Sequence, residues 1–113
     1  MRRAPVLLLA AVATAAFAVS ATGATTRTIK LGDDYFVSDG KARTVTVKQN
    51  TRVRWNWVGD SVHNVTVKSG PVKFKSKTQT SGTYTKKVTR RGTYRIVCTI
   101  HEPGQKMTLR VVK

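Results

Sequence analysis

The segment Thr51-Arg52-Val53-Arg54-Trp55-Asn56-Trp57 alternates without a break: Val53, Trp55 and Trp57 fall on one side, Arg52, Arg54 and Asn56 on the other. Successive side chains point to opposite faces only in extended chain, so this stretch reads as a half-buried β-strand. Thr44 to Lys48 repeats the pattern with Val45 and Val47. Residues 62–67 put His63, Val65 and Val67 on one side, and residues 93–98 do the same for Tyr94, Ile96 and Cys98. Residues 28–31 and the apolar centre of residues 33–40 are shorter β-prone runs, and Lys106 to Val112 closes the chain. Between Lys68 and Arg91 the chain is rich in Lys, Thr and Ser, with only Val72, Phe74, Tyr84 and Val88 suited to packing. That composition predicts a crossing segment and one edge strand, since edge lysines discourage pairing with other chains. No helical apolar period occurs after residue 24. Short strands recurring every ~8–12 residues between turns define an all-β sandwich or barrel.

Ahead of this region the chain has a different character. Arg2 and Arg3 precede an apolar run from Pro5 to Val19, followed by small residues suited to cleavage after Ala21 or Ala24. This is the pattern of a secretory signal peptide, residues 1–24. The run is shorter than the roughly 20 apolar residues that cross a bilayer, which weighs against a retained anchor. Residues 25–113 then form one small domain, exported to a periplasmic, cell-surface or extracellular location.

Small exported domains commonly rely on disulfides. Cys98 is the only cysteine in the chain, so no internal bridge can form. A lone exported thiol is explained by pairing with a second chain, by burial, or by coordination of a metal. The full sequence carries a formal charge of +16, and loss of Arg2 and Arg3 with the leader leaves 19 basic against five acidic residues, a net of +14. Such a field favours an acidic partner protein and also suits an anionic membrane or cell-wall surface. Export argues against nucleic acid. The domain is expected to be a monomer.

Cys98 and His101 are separated by two residues across the end of a strand, and His63, the other histidine, falls on an inward strand face. Singly, each has an ordinary explanation, because core histidines and buried thiols are common. Together, a soft thiolate and two imidazoles with a weak axial ligand select copper and let it alternate between Cu(I) and Cu(II). Structural zinc usually takes four strong ligands, and the chain has no third His or second Cys.

The chain resembles the cupredoxins, the plastocyanin and pseudoazurin type of blue copper protein. The resemblance is carried by Phe36, by Thr51, Val53 and Trp55, by His63-Asn64-Val65, by Phe74, Ser76 and Gly82, and by Gly92, Tyr94, Cys98, His101, Pro103 and Gly104. It implies a cupredoxin-like Greek-key β-sandwich with one type 1 copper, transferring single electrons between redox partners rather than catalysing a reaction. The implied strong ligands are His63, Cys98 and His101. Asn64 would tie the ligand loops together and hydrogen-bond near the Cys98 sulfur. The axial position departs from the family pattern. Counting back from Leu109 and Val111 places Gln105 there, with Met107 two residues later as the alternative. A glutamine oxygen is an accepted axial substitute in such sites.

Two other readings compete. Copper storage or delivery would use the same fold and ligands, and a metal-free basic β-sandwich module would use the fold alone. A Cys98 nucleophile with His101 as its base lacks a third orienting group. Two histidines are also too few for a multicopper oxidase centre.

Overall fold

The computed structural model describes residues 25–37 and 43–113; the expected signal peptide lies outside the described residues. Among the described residues eight strands form two four-stranded sheets: β1 (Thr26–Leu31), β2 (Phe36–Val37), β3 (Thr44–Lys48), β4 (Thr51–Trp57), β5 (Thr66–Ser69), β6 (Thr83–Val88), β7 (Gly92–Val97) and β8 (Lys106–Val112). One sheet has the order β2-β1-β4-β6 and the other β3-β8-β7-β5. The β1/β4 and β3/β8 pairs are parallel and the rest antiparallel. The expected all-β sandwich is the observed architecture, and β4, β3 and β8 occupy the stretches that alternate most strictly in the sequence.

Alternating burial makes the core. Ile29, Leu31, Val53, Trp55 and Trp57 point inward from the first sheet and Val45, Val47, Tyr94, Ile96, Leu109 and Val111 from the second. Burying one such side chain contributes roughly 1.5–3 kcal/mol. Trp55 is fully enclosed, its ring centroid 6.0 Å from that of Phe74 and 5.8 Å from that of Tyr84. Phe74 belongs to the Lys-rich segment between β5 and β6, so that segment is anchored by an aromatic cluster rather than lying loose on the surface. The predicted edge strand is β6, where Lys86 and Lys87 stand at the rim of the first sheet.

Two local features fix the second sheet. The Tyr94 hydroxyl donates to the carbonyl of Arg90 at 2.7 Å, closing the turn that feeds β7. Gly92 adopts φ 143°, a region closed to residues with a side chain, and a Cβ there would come within 2.5 Å of Pro71 Cγ. Only glycine satisfies both conditions.

One predicted strand differs. Residues 62–67 do not form a continuous strand; β5 begins at Thr66, and His63 instead makes an isolated bridge with Gln79. The bridge is reciprocal, His63 N–H to Gln79 O and Gln79 N–H to His63 O, both 3.0 Å. At the rim of the sandwich this segment's partner is the irregular 75–79 loop, which pairs at single points. The inward direction of His63 survives the change, because Val65 and Val67 remain buried beside it in period two.

Sheet pairing gathers three loops at one end. Because β1 and β4 run parallel, with Leu31 opposite Trp57, the turn after β1 and the loop after β4 emerge together. Thr66 at the start of β5 faces Val97 at the end of β7, so the loop arriving from β4 meets the chain at Cys98.

Candidate metal centre

At that end His63, Cys98 and His101 converge. One ligand atom from each lies within 4.8 Å of the others, with His63 and Cys98 buried and His101 half-buried. The Cys98 sulfur is 3.8 Å from His63 Nδ1 and 3.5 Å from His101 Nδ1. His63 is 35 and 38 positions from the other two in sequence, so it meets them through tertiary structure alone.

Gln105 stands beside them, its Oε1 3.2 Å from His101 Nδ1. The side chain is 1% exposed, and its Nε2 donates to Gly32 O at 2.6 Å and Tyr35 O at 3.1 Å. Two carbonyl acceptors leave only one orientation for the amide: nitrogen toward the β1–β2 turn, oxygen toward His101. Met107 lies elsewhere. The Cys98 amide donates to Gln105 O at 3.1 Å, so Gln105 is level with Cys98, whereas Met107 pairs with Ile96. Two residues along a strand is about 7 Å. Met107 therefore sits one layer deeper, packed in the hydrophobic core.

Asn64 joins three segments. Its Nδ2 donates to Thr99 Oγ1 at 2.8 Å and to Thr78 Oγ1 at 3.2 Å, while its Oδ1 accepts from Thr66 Oγ1 at 2.8 Å and from the Thr99 amide at 3.1 Å. These bonds link residues 64–66 to Thr78 and to Thr99, and the one nearest the cysteine is made by the amide of the next residue.

The residue that sequence reasoning missed is Asp33. It reads locally as a turn residue after a short strand, yet its Oδ1 lies 3.0 Å from His63 Nε2. Backbone amides of Asp60 and Ser61 donate to the same oxygen, each at 2.9 Å. The His63 hydrogen bond, with those of the Ser61 and Asp60 amides, lowers the Asp33 carboxyl to about 2. The only local signal was its place among the chain's few acidic residues.

Charge is unevenly distributed. All four side-chain carboxylates among the described residues, Asp33, Asp34, Asp60 and Glu102, belong to the loops of this end. Asp33 and Asp34 line a cleft with His101, Gly104 and Gln105, and Glu102 pairs with Lys68 at 3.5 Å. The outward faces of β1 and β4 instead carry Lys30, Arg52 and Arg54. Val58 and Ile100, each 46% exposed, are apolar surface on the loops after β4 and β7.

The donor set suits copper: a thiolate and two imidazole Nδ1 atoms close together, with one amide oxygen beside them and a carboxylate on the far nitrogen of a histidine.

The sandwich has the cupredoxin fold, and the solved structures that share it include several of amicyanin. A methionine-to-glutamine variant of amicyanin in its Cu(I) form matches with TM-score 0.64 and 22% identity, over 76% of this chain and 81% of that one. A reduced tryptophan-to-tyrosine variant matches with TM-score 0.64 and 22% identity, over 82% and 86%. An oxidised methionine-to-leucine variant gives 0.63 and 23% over the same shares. No family model matches the sequence, and no curated protein does.

Proposed function

We propose that the protein is an exported single-electron carrier built on one type 1 copper site, not an enzyme. The observation that carries this reading is the convergence of His63 Nδ1, Cys98 Sγ and His101 Nδ1 in one cluster. Copper bound there would supply a one-electron couple between Cu(I) and Cu(II). His63, Cys98 and His101 are the strong ligands of this reading and Gln105 Oε1 the weak axial one. Asn64 restrains the loops on either side of the cluster. The packed β7–β8 frame keeps Cys98 and Gln105 level, so the donors have little freedom to rearrange when the charge changes. That rigidity favours fast electron exchange. It also supports a carrier over a delivery protein, which must let its cargo go.

His101 is the least buried of the three, so the partner's nearest approach is along its edge, beside Ile100. The amicyanin structures in reduced and oxidised states support a redox role for this fold. The basic sheet faces favour an acidic partner protein at long range, and the same faces suit an anionic membrane or cell-wall surface. Export rests on the leader pattern in residues 1–24.

Adding Cu(II) to the purified metal-free protein tests the reading. An intense visible thiolate-to-copper band with a type 1 EPR signal and a reversible one-electron couple is expected, and Cys98→Ser should abolish the band. A protein that gains neither colour nor thermal stability is a metal-free module, and a strong Cu(I) preference with no reversible couple means storage or delivery.

A further inference from the structure

A histidine can offer Nδ1 to a metal only if its proton resides on Nε2, and free imidazole places that proton on either nitrogen. In His63 the Nδ1 atom faces the Cys98 sulfur, at 3.8 Å, and Nε2 faces Asp33 Oδ1, at 3.0 Å. An ionised carboxylate accepts hydrogen bonds and donates none. The contact therefore exists in neutral His63 only when Nε2 carries the hydrogen, which leaves the Nδ1 lone pair directed into the donor cluster.

The carboxylate is itself held. Asp33 Oδ1 accepts from the amides of Asp60 and Ser61, and Asp33 Oδ2 is 3.2 Å from the Asp60 amide. These donors sit two and three residues before His63, so one side chain from the turn after β1 grips both the imidazole and the backbone leading to it. Room for the grip comes from Gly59. A Cβ at that position would stand 2.1 Å from Asp33 Oδ1, so any other residue there would displace the carboxylate. On the opposite side the reciprocal bridge to Gln79 fixes the His63 main chain. Backbone and ring are thus restrained separately, the ring by Asp33 at Nε2 and, more loosely, by the Cys98 sulfur at Nδ1.

We infer that Asp33 is a positioning residue for the metal centre: it locks His63 in the Nε2–H tautomer, aims Nδ1 at the cluster, and places a negative charge behind the imidazole. The carboxylate turns the ring so that it needs no reorganisation when a cation arrives. Its charge favours the more positive state of a bound cation, so it holds Cu(II) in preference to Cu(I). Because the Asp33 side chain is 40% exposed, water screens this charge, and the preference is modest. The tautomer lock is a property of the metal-free protein, whereas the Cu(II) preference rests on the function proposed above.

Two variants separate the hydrogen bond from the charge. Asp33→Asn keeps an oxygen that can accept from Nε2 and loses the charge; Asp33→Ala loses both. Nitrogen-15 NMR of the metal-free protein in alkaline buffer reads the tautomer directly. The native protein and Asp33→Asn should show His63 wholly as the Nε2–H form, and Asp33→Ala should show a mixture of tautomers. Titration with Cu(II), and with Cu(I) under reducing conditions, gives the affinity ratio. In Asp33→Asn this ratio should fall by up to about tenfold, at the low end of the effect typical of metal-site partners that touch no metal. A tenfold fall corresponds to a rise of about 59 mV in a one-electron potential. The inference is overturned if Asp33→Ala retains a single Nε2–H tautomer, or if Asp33→Asn leaves the affinity ratio unchanged. If Asp33→Ala does not fold, Asp33→Asn decides through the ratio and through its His63 resonances. A native protein that binds no copper would defeat the proposed function, yet the NMR comparison would still decide the role of Asp33.

Discussion

Replacing Gln105 with Met tests the geometry of the site most sharply, because that side chain has two jobs that can be measured apart. Its amide nitrogen donates to Gly32 O at 2.6 Å and Tyr35 O at 3.1 Å, and its oxygen faces His101. A thioether fills a similar volume and makes neither of the first two bonds. The Gly32 carbonyl then loses its side-chain donor in a buried setting, which costs about 1–3 kcal/mol. The Tyr35 carbonyl still accepts from the Gly32 amide at 2.9 Å, so its loss is a second bond of about 0.5–1.5 kcal/mol. Together the metal-free variant should be less stable by about 2–4 kcal/mol, which lowers the melting temperature by on the order of 10 °C or more in a domain this small. Copper-loaded protein supplies the second readout. A soft thioether favours Cu(I) over Cu(II) relative to an amide oxygen, so the reduction potential should rise. Met107→Leu is the control: a volume-conserving core change costing less than about 1.5 kcal/mol, with no change in potential. Thermal denaturation without metal and voltammetry with copper make the comparison. A melting temperature shifted by less than about 3 °C would refute the amide anchor. A potential that moves with Met107→Leu but not with Gln105→Met would refute the axial assignment.

Asn64→Ala removes four hydrogen bonds that join residues 64–66, 78 and 99, two of them to hydroxyls on accessible positions that water can satisfy. A loss of about 2 kcal/mol is expected in urea denaturation of the metal-free protein, with faster amide exchange at Thr99; unchanged exchange there would contradict the tie. Tyr94→Phe removes the bond to Arg90 O and should cost about 1 kcal/mol. Burial raises the Tyr94 phenol above its ordinary value, so its contribution to stability is complete below the unfolded pKa of about 10 and is lost as pH rises through the folded value. The alkaline fall in native stability should therefore be shallower in Tyr94→Phe, and parallel pH curves for the two proteins would oppose this. Oxidation of the reduced copper protein by ferricyanide, an anion, should slow steeply as salt shortens the Debye length from about 30 Å at 0.01 M to about 8 Å at 0.15 M. Screening removes the attraction of the basic faces and leaves the carboxylates near His101 as the charges felt at contact; a rate indifferent to salt would refute this.

Local pattern carried much of the architecture. The pleat forces period two on any half-buried strand, so β3, β4 and β8 were legible from Val45 and Val47, from Val53, Trp55 and Trp57, and from Leu109 and Val111. The same rule turned His63 and Cys98 inward, and their residue types then suggested what such a pair could hold. Parity could not choose between Gln105 and Met107, because both point the same way. Register decided where each lies: Gln105 is opposite Cys98 and Met107 opposite Ile96, and which residues of two strands stand opposite is set by burial across the sheet. The break in the strand at His63 was invisible for a related reason, since a strand exists only where a partner continues it and the 75–79 loop pairs with it at single points. Asp33 had the weakest local signal. Its significance comes from a parallel β1/β4 pairing that brings a turn to a histidine 30 residues away, and from the absence of a Cβ at Gly59. Periodicity is a property of consecutive residues and can be read from them. The meeting of Asp33, His63, Cys98 and Gln105 depends on pairings between distant segments, and those are decided only when the whole core is buried at once.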